Sequence, residues 1–223
     1  MIQNNSYHYM KDLLGLNSHQ NGRCHAAFSH PWKLPLEELT VDVSVWKKEL
    51  SSHPDQQFAN LIIAGLEEGF RIGFNRSHVI HPASSNLRIH NPQIVSEYLA
   101  REVALNRMWK FPAKIAPSGT HISPMGIIPK KNKPNKWRLI IDLSSPNGFS
   151  INEGISPELS SLSYVSLEHL SSLVLAAGKE AWLVKEDIKE AYQMIPIHPQ
   201  DWHLLGVHWE DSVYIDKRLP FRL

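Results

Sequence analysis

Cysteine is almost missing from this chain: Cys24 is the only one in 223 residues. That rules out an intramolecular disulfide and fits a reducing compartment. A charge excess is missing too. Lys and Arg number 23 against 22 Asp and Glu, for a net charge of +1, so nothing pulls the whole protein towards nucleic acid or membrane. Any such binding has to come from a local patch. No apolar run approaches the roughly 20 residues of a membrane helix. The opening MIQNNSYHYMKDLLGL is too polar for a secretory signal. The expectation is an intracellular protein, cytoplasmic or nuclear, soluble and without a membrane partner. A hydrophobic fraction of 42% with 20% charged residues argues against bulk disorder. The length suits one large domain or two small ones.

Residues 1–35 show no sustained period and read as a loosely ordered lead-in. Cys24, His25 and His30 lack a fourth zinc ligand at a usable spacing and read as solvated loop. Residues 36–90 form a helical region. Trp46 and Leu50 share a face of a first helix that stops before His53-Pro54. A second helix has Pro54 in its first turn, an apolar stripe of Phe58, Leu61, Ile62 and Leu66, and Gly69 at its end. Phe70 to Phe74 alternates and reads as extended. A third helix is capped by Asn91, has Pro92 in its first turn and runs to about Met108, with Val95, Leu99 and Val103 on one side. Arg101 and Arg107 lie off that stripe and read as a solvated face.

Two short apolar segments follow, His121 to Ile128 and Lys136 to Leu143, around the polar stretch PKKNKPN. They read as a β-hairpin with a basic tip. A period of two puts Trp137, Leu139, Ile141 and Leu143 on one face, and Lys136, Arg138 and Asp142 on the other beside Ile140. Five cations, Lys130, Lys131, Lys133, Lys136 and Arg138, crowd this hairpin. On a nearly neutral protein that concentration fits either an anionic partner or a loop kept soluble by lysines.

Beyond it, Ser144 to Glu158 is rich in turns. Ser166 caps a helix carrying Leu167, Leu170, Val174 and Ala177 and ending at Gly178. An apolar run, Trp182-Leu183-Val184, then reads as a strand that ends on Asp187 and turns at Lys189 to Tyr192. A carboxylate there can hold a hard cation, and free N–H groups after it can cradle phosphate. A second hairpin, His203 to Trp209 with Val213 to Leu219, turns about Glu210-Asp211-Ser212. His198, His203 and His208 stand five apart, a spacing that fits neither one helix face nor one strand face.

Taken together, SPMGIIPKK, KWRLIIDLSSP and WLVKEDIKEAY resemble, in order, the fingers hairpin and first palm motif of reverse transcriptases. With LEEGF and HPQDWHLLGVHW added, the DIRS-type retrotransposon enzymes are the most similar. The resemblance implies an α+β fold: a helical N-terminal region, then a polymerase fingers hairpin and an incomplete palm sheet, with residues 91–223 as a partial reverse transcriptase domain. It implies that Asp187 is catalytic and binds magnesium. Lys131 and Arg138 would grip the triphosphate, and Tyr192 would exclude a 2′-hydroxyl. Ala191 and Phe221 would also line the nucleotide, while Lys130, Lys133 and Lys136 would face nucleic acid. The implied partners are an RNA or DNA template–primer and deoxynucleoside triphosphates.

Three departures qualify that implication. The sequence stops at LPFRL, before the Tyr-x-Asp-Asp-type hairpin that carries the family's other metal ligands. Arg222 stands where glycine is usual. Glu186 stands at a normally apolar strand position, where alternation turns it towards the core at a cost. Two-metal transfer needs both ions held about 3.5–4 Å apart by several carboxylates. The expectation is a polymerase fragment inactive as this chain and prone to aggregate along an uncovered strand edge. The alternatives are a non-catalytic nucleic-acid-binding module and a translated remnant with a defective fold.

Overall fold

The structure is a computed structural model that describes residues 41–77, 86–87, 89–130, 136–160, 164–180, 182, 184, 186–188, 190–221 and 223. The expectations for residues 1–35, Lys131, Lys133 and Arg222 lie outside these. The fold is mixed α+β, with N-terminal helices followed by small antiparallel sheets.

Helices α1 (Val43–Leu50) and α2 (Gln56–Glu68) come first. Each begins on an aspartate, Asp42 or Asp55, whose carboxylate accepts a backbone N–H of the first turn, satisfying a donor that the helix itself cannot. Pro54 therefore precedes the cap and is not in the first turn. Gly69 ends α2 at φ 90, a conformation that only glycine adopts without strain. Phe70 and Phe74 then make single bridges to Ile197 and Ile155, so this stretch is extended as its alternation implies. Helix α3 (Pro92–Ala104) starts on Pro92, but Asn91 makes no side-chain cap.

Helix α3 stops short of Met108. Asn106 turns left-handed at φ 52, and Met108–Pro112 becomes strand β1. Strand pairing 100 residues downstream overrides the continuing helical pattern: β1 pairs with β5 (Ser212–Asp216) from Met108↔Asp216 to Pro112↔Ser212. Strand β4 (Gly206–Trp209) pairs with the other edge of β5, giving the order β1-β5-β4. The second hairpin thus forms about Glu210-Asp211, but His203 belongs to the preceding 3-10 turn, Pro199–Leu204. The basic hairpin forms as well. Strands β2 (Met125–Pro129) and β3 (Trp137–Ile141) pair from Met125↔Ile141 to Pro129↔Trp137.

The central sheet is covered on both faces, and alternation along β5 shows how. Val213 and Ile215 enter one apolar cluster with Ile72, Ile151, Ile197 and Trp202. Tyr214, between them, enters another with Val95 and Leu99 of α3 and Met125 of β2. Trp109 of β1 meets Trp202 edge-on at 4.7 Å. So α3 and the basic hairpin lie on one side of the sheet.

Helix α4 (Pro157–Ser160) is one turn long. Helix α5 (Leu167–Ala177) is capped by Ser166 and ended by Gly178, as its sequence implies, but none of its residues is buried. The run after it departs from expectation. Among the described residues, Trp182, Val184 and Asp187 lie in no strand, and Trp182 is 94% exposed. A strand needs a neighbour for its N–H and C=O groups, and none pairs with these residues. Glu186 is exposed too and incurs no burial cost.

Candidate nucleotide-binding site

Arg138 sits on β3 opposite Ile128, on the exposed face of the hairpin. The alternation that buries Leu143 and half-buries Leu139 and Ile141 turns this guanidinium outwards. At the end of the hairpin Lys130 N–H donates to the Lys136 carbonyl at 2.7 Å, leaving two exposed ammonium groups beside the tip. Lys131 and Lys133 belong to the stretch outside the described residues.

Tyr192 lies in the 3-10 turn Ala191–Met194, which follows the Asp187 segment. This turn is tied to the chain's last described stretch. Leu219 N–H donates to the Ile195 carbonyl at 2.9 Å, Ile197 N–H to that of Lys217 at 2.9 Å, and Pro196 bridges Arg218. These bonds bring Phe221 against Tyr192, ring edge to ring face at 5.3 Å. The Arg138 guanidinium in turn lies 5.9 Å from the centre of the Phe221 ring, within cation–π range. Three residues from separate stretches thus converge on one surface, and both rings are about half exposed. Ala191 opens the same turn. Asp187 is exposed and stands three residues before Glu190.

The chain is similar over most of its length to a foamy viral protease-reverse transcriptase. Against that protein's dRH form in complex with ds DNA the TM-score is 0.42 at 18% identity, covering 85% of this chain and 34% of that one. Against the foamy viral protease-reverse transcriptase in complex with RNA/DNA hybrid it is 0.40 at 18% identity, covering 85% and 26%. The chain therefore spans about a third or less of these two. No protein-family model matches the chain, and no curated protein matches it.

An ion-pair cluster next to this surface escaped the sequence reading. Glu190 takes a left-handed conformation at φ 54, and its carboxylate accepts hydrogen bonds from Arg101 Nη2 and, at 2.7 Å, from Arg107 Nη1. These two bonds hold the Glu190 carboxyl well below its ordinary range, at about 2. Arg107 also reaches Glu102 Oε2 at 3.4 Å. Arg107 is buried and not on a solvated face, whereas Arg101 is exposed as expected and makes an ion pair with Glu190. No local pattern announces this, because α3 and Glu190 are more than 80 residues apart. Asp216, at the end of β5, is fully buried and accepts Arg218 N–H at 2.9 Å. Burial pushes its carboxyl up to about 7.

Proposed function

We propose that this chain is the fingers hairpin and first palm motif of a reverse transcriptase of retrotransposon type, DIRS-like. Its own contribution is to hold a deoxynucleoside triphosphate and a template–primer. The supporting observation is the meeting of Arg138, Tyr192 and Phe221, three of the described residues that the motif resemblance puts around one nucleotide. A guanidinium forks onto phosphate oxygens, and the resemblance gives Lys131 the part of a second, mobile point charge on the triphosphate. Tyr192 bounds the sugar, with Phe221 buttressing its ring and Ala191 leaving room. Lys130, Lys133 and Lys136 contact nucleic-acid phosphates.

Magnesium is the family's ion, and Asp187 is a suitable hard-oxygen ligand. Among the described residues, no group of three or more His, Cys, Asp or Glu could hold an ion. One exposed carboxylate does not fit a two-ion centre, so what these residues support is binding. That mismatch, with the exposed Lys130, Lys136 and Arg138 on one hairpin, favours a nucleic-acid-binding module without catalysis as the second reading.

Titration of the 223-residue chain with dGTP tests the proposal. Arg138→Ala should weaken binding about tenfold, the loss of one charge-assisted contact. Binding of a labelled template–primer should fall with salt, with a log–log slope of about −0.9 for each phosphate contact on duplex DNA. The slope should flatten in Lys131→Ala/Arg138→Ala. Wild-type dGTP affinity in Arg138→Ala, or salt-indifferent binding, overturns the proposal. Binding of dGTP as well as template–primer supports the first reading, and binding of template–primer without dGTP the second.

A further inference from the structure

We infer that Glu190 is a positioning residue, clamping the turn that carries Tyr192 to helix α3 and so setting the geometry of the nucleotide site. This rests on the function proposed above. Among the described residues ahead of Glu190, Trp182, Val184 and Ile188 are 94%, 80% and 68% exposed. Behind the turn, residues 195–197 are bonded to 217–219. Glu190 lies between these regimes, and its carboxylate ties the turn to Arg101 of α3 and to Arg107, between α3 and β1.

Three features mark the contact as more than a surface ion pair. First, Arg107 is buried, with its side chain 9% exposed, so the bond is poorly screened by water and salt. Second, Arg107 is shared between Glu190 and the buried Glu102, so two carboxylates balance two guanidiniums. Removing Glu190 leaves that buried balance uneven. Third, Glu190 holds a left-handed backbone without being glycine. Such a conformation persists only where its surroundings over-determine it. Its own carbonyl accepts Gln193 N–H at 2.9 Å, so the clamped residue also starts the turn that places Tyr192.

The test uses Glu190→Gln, which keeps the shape and removes the charge, together with the swap Glu190→Arg/Arg101→Glu. Hydrogen exchange at the amides of 191–194 reads the clamp directly. Glu190→Gln should speed exchange there about tenfold, the cost of losing a charge-assisted bond, while the β1-β5-β4 amides stay protected. The swap should recover part of that protection relative to Glu190→Arg alone. With the turn loosened, the preference for dGTP over GTP should fall more than the affinity for dGTP. Unchanged exchange at 191–194, or exchange raised equally throughout the sheet, overturns the clamp. Equal weakening of dGTP and GTP overturns its role in sugar discrimination. If the wild type binds neither nucleotide, the functional reading fails, while the exchange result still decides the clamp.

Discussion

The sheet β1-β5-β4 and the stretch from α5 to Asp187 are both written in apolar residues, but among the described residues only those of the sheet are buried. Leu99 and Trp202 are 0% and 1% exposed, whereas Leu167 and Leu175 are both 81% exposed. Both regions have sound local signals. Helix α5 has a serine cap and a terminal glycine, as good as the ends of α2. What separates them is partners. Residues of β5 meet α3 and β2 on one face and Trp202 and Ile197 on the other. Among the described residues none of α5 is buried. Local chemistry can shape a helix, but burial makes it stable in a protein.

The comparison breaks first at tryptophan. Trp202→Ala should cost about 3–5 kcal/mol, through the cavity it leaves and the loss of its bond to the Ile197 carbonyl. Trp182→Ala should stay within about 0.5 kcal/mol. Urea denaturation of both variants measures the difference, and equal costs would show that the second stretch is packed after all.

A smaller effect is expected at Gly69. A Cβ there would come 2.5 Å from the His198 backbone nitrogen, at a φ of +90. Gly69→Ala should cost about 1–3 kcal/mol, since the obstacle is backbone and cannot rotate away. A denaturation midpoint equal to wild type would contradict that close approach.

Two carboxylates sharpen the contrast through pH, with opposite signs. The Glu190 carboxyl lies at about 2 against an ordinary 4.5. Its stabilisation is present above pH 4.5 and fades as pH falls towards 2. The Asp216 carboxyl lies at about 7 against 3.8. The folded state therefore holds that proton more tightly, and the contribution is lost as pH rises from 3.8 to 7. Stability curves of Asp216→Asn and Glu190→Gln against wild type check both. Asp216→Asn should gain on wild type as pH rises, and Glu190→Gln should lose least at the acid end. A gap for Asp216→Asn that is flat with pH would place its carboxyl in water.

The smallest effect belongs to Ser166→Ala. It removes the side-chain acceptor of His169 N–H, worth about 1 kcal/mol to the helix. Because α5 buries nothing, that loss should appear as faster amide exchange within Leu167–Ala177, with the global unfolding midpoint unmoved. A shifted midpoint would mean that α5 is coupled to the sheet.

The sequence by itself determined what depends on near neighbours. Apolar stripes located α2 and α3, and a serine cap with a terminal glycine located α5. Alternation located both hairpins and turned Arg138 outwards, because a side chain's face follows from its own strand. The motif resemblance selected Arg138, Tyr192 and Phe221 as companions. Tertiary structure alone decided the rest. Met108 to Pro112 became a strand because β5 offers it hydrogen bonds from 100 residues away. Trp182, Val184 and Asp187 did not, because no described strand offers them any. Arg107 was buried because Glu102 and Glu190 reach it from two directions, a balance of desolvation and charge that no local window contains.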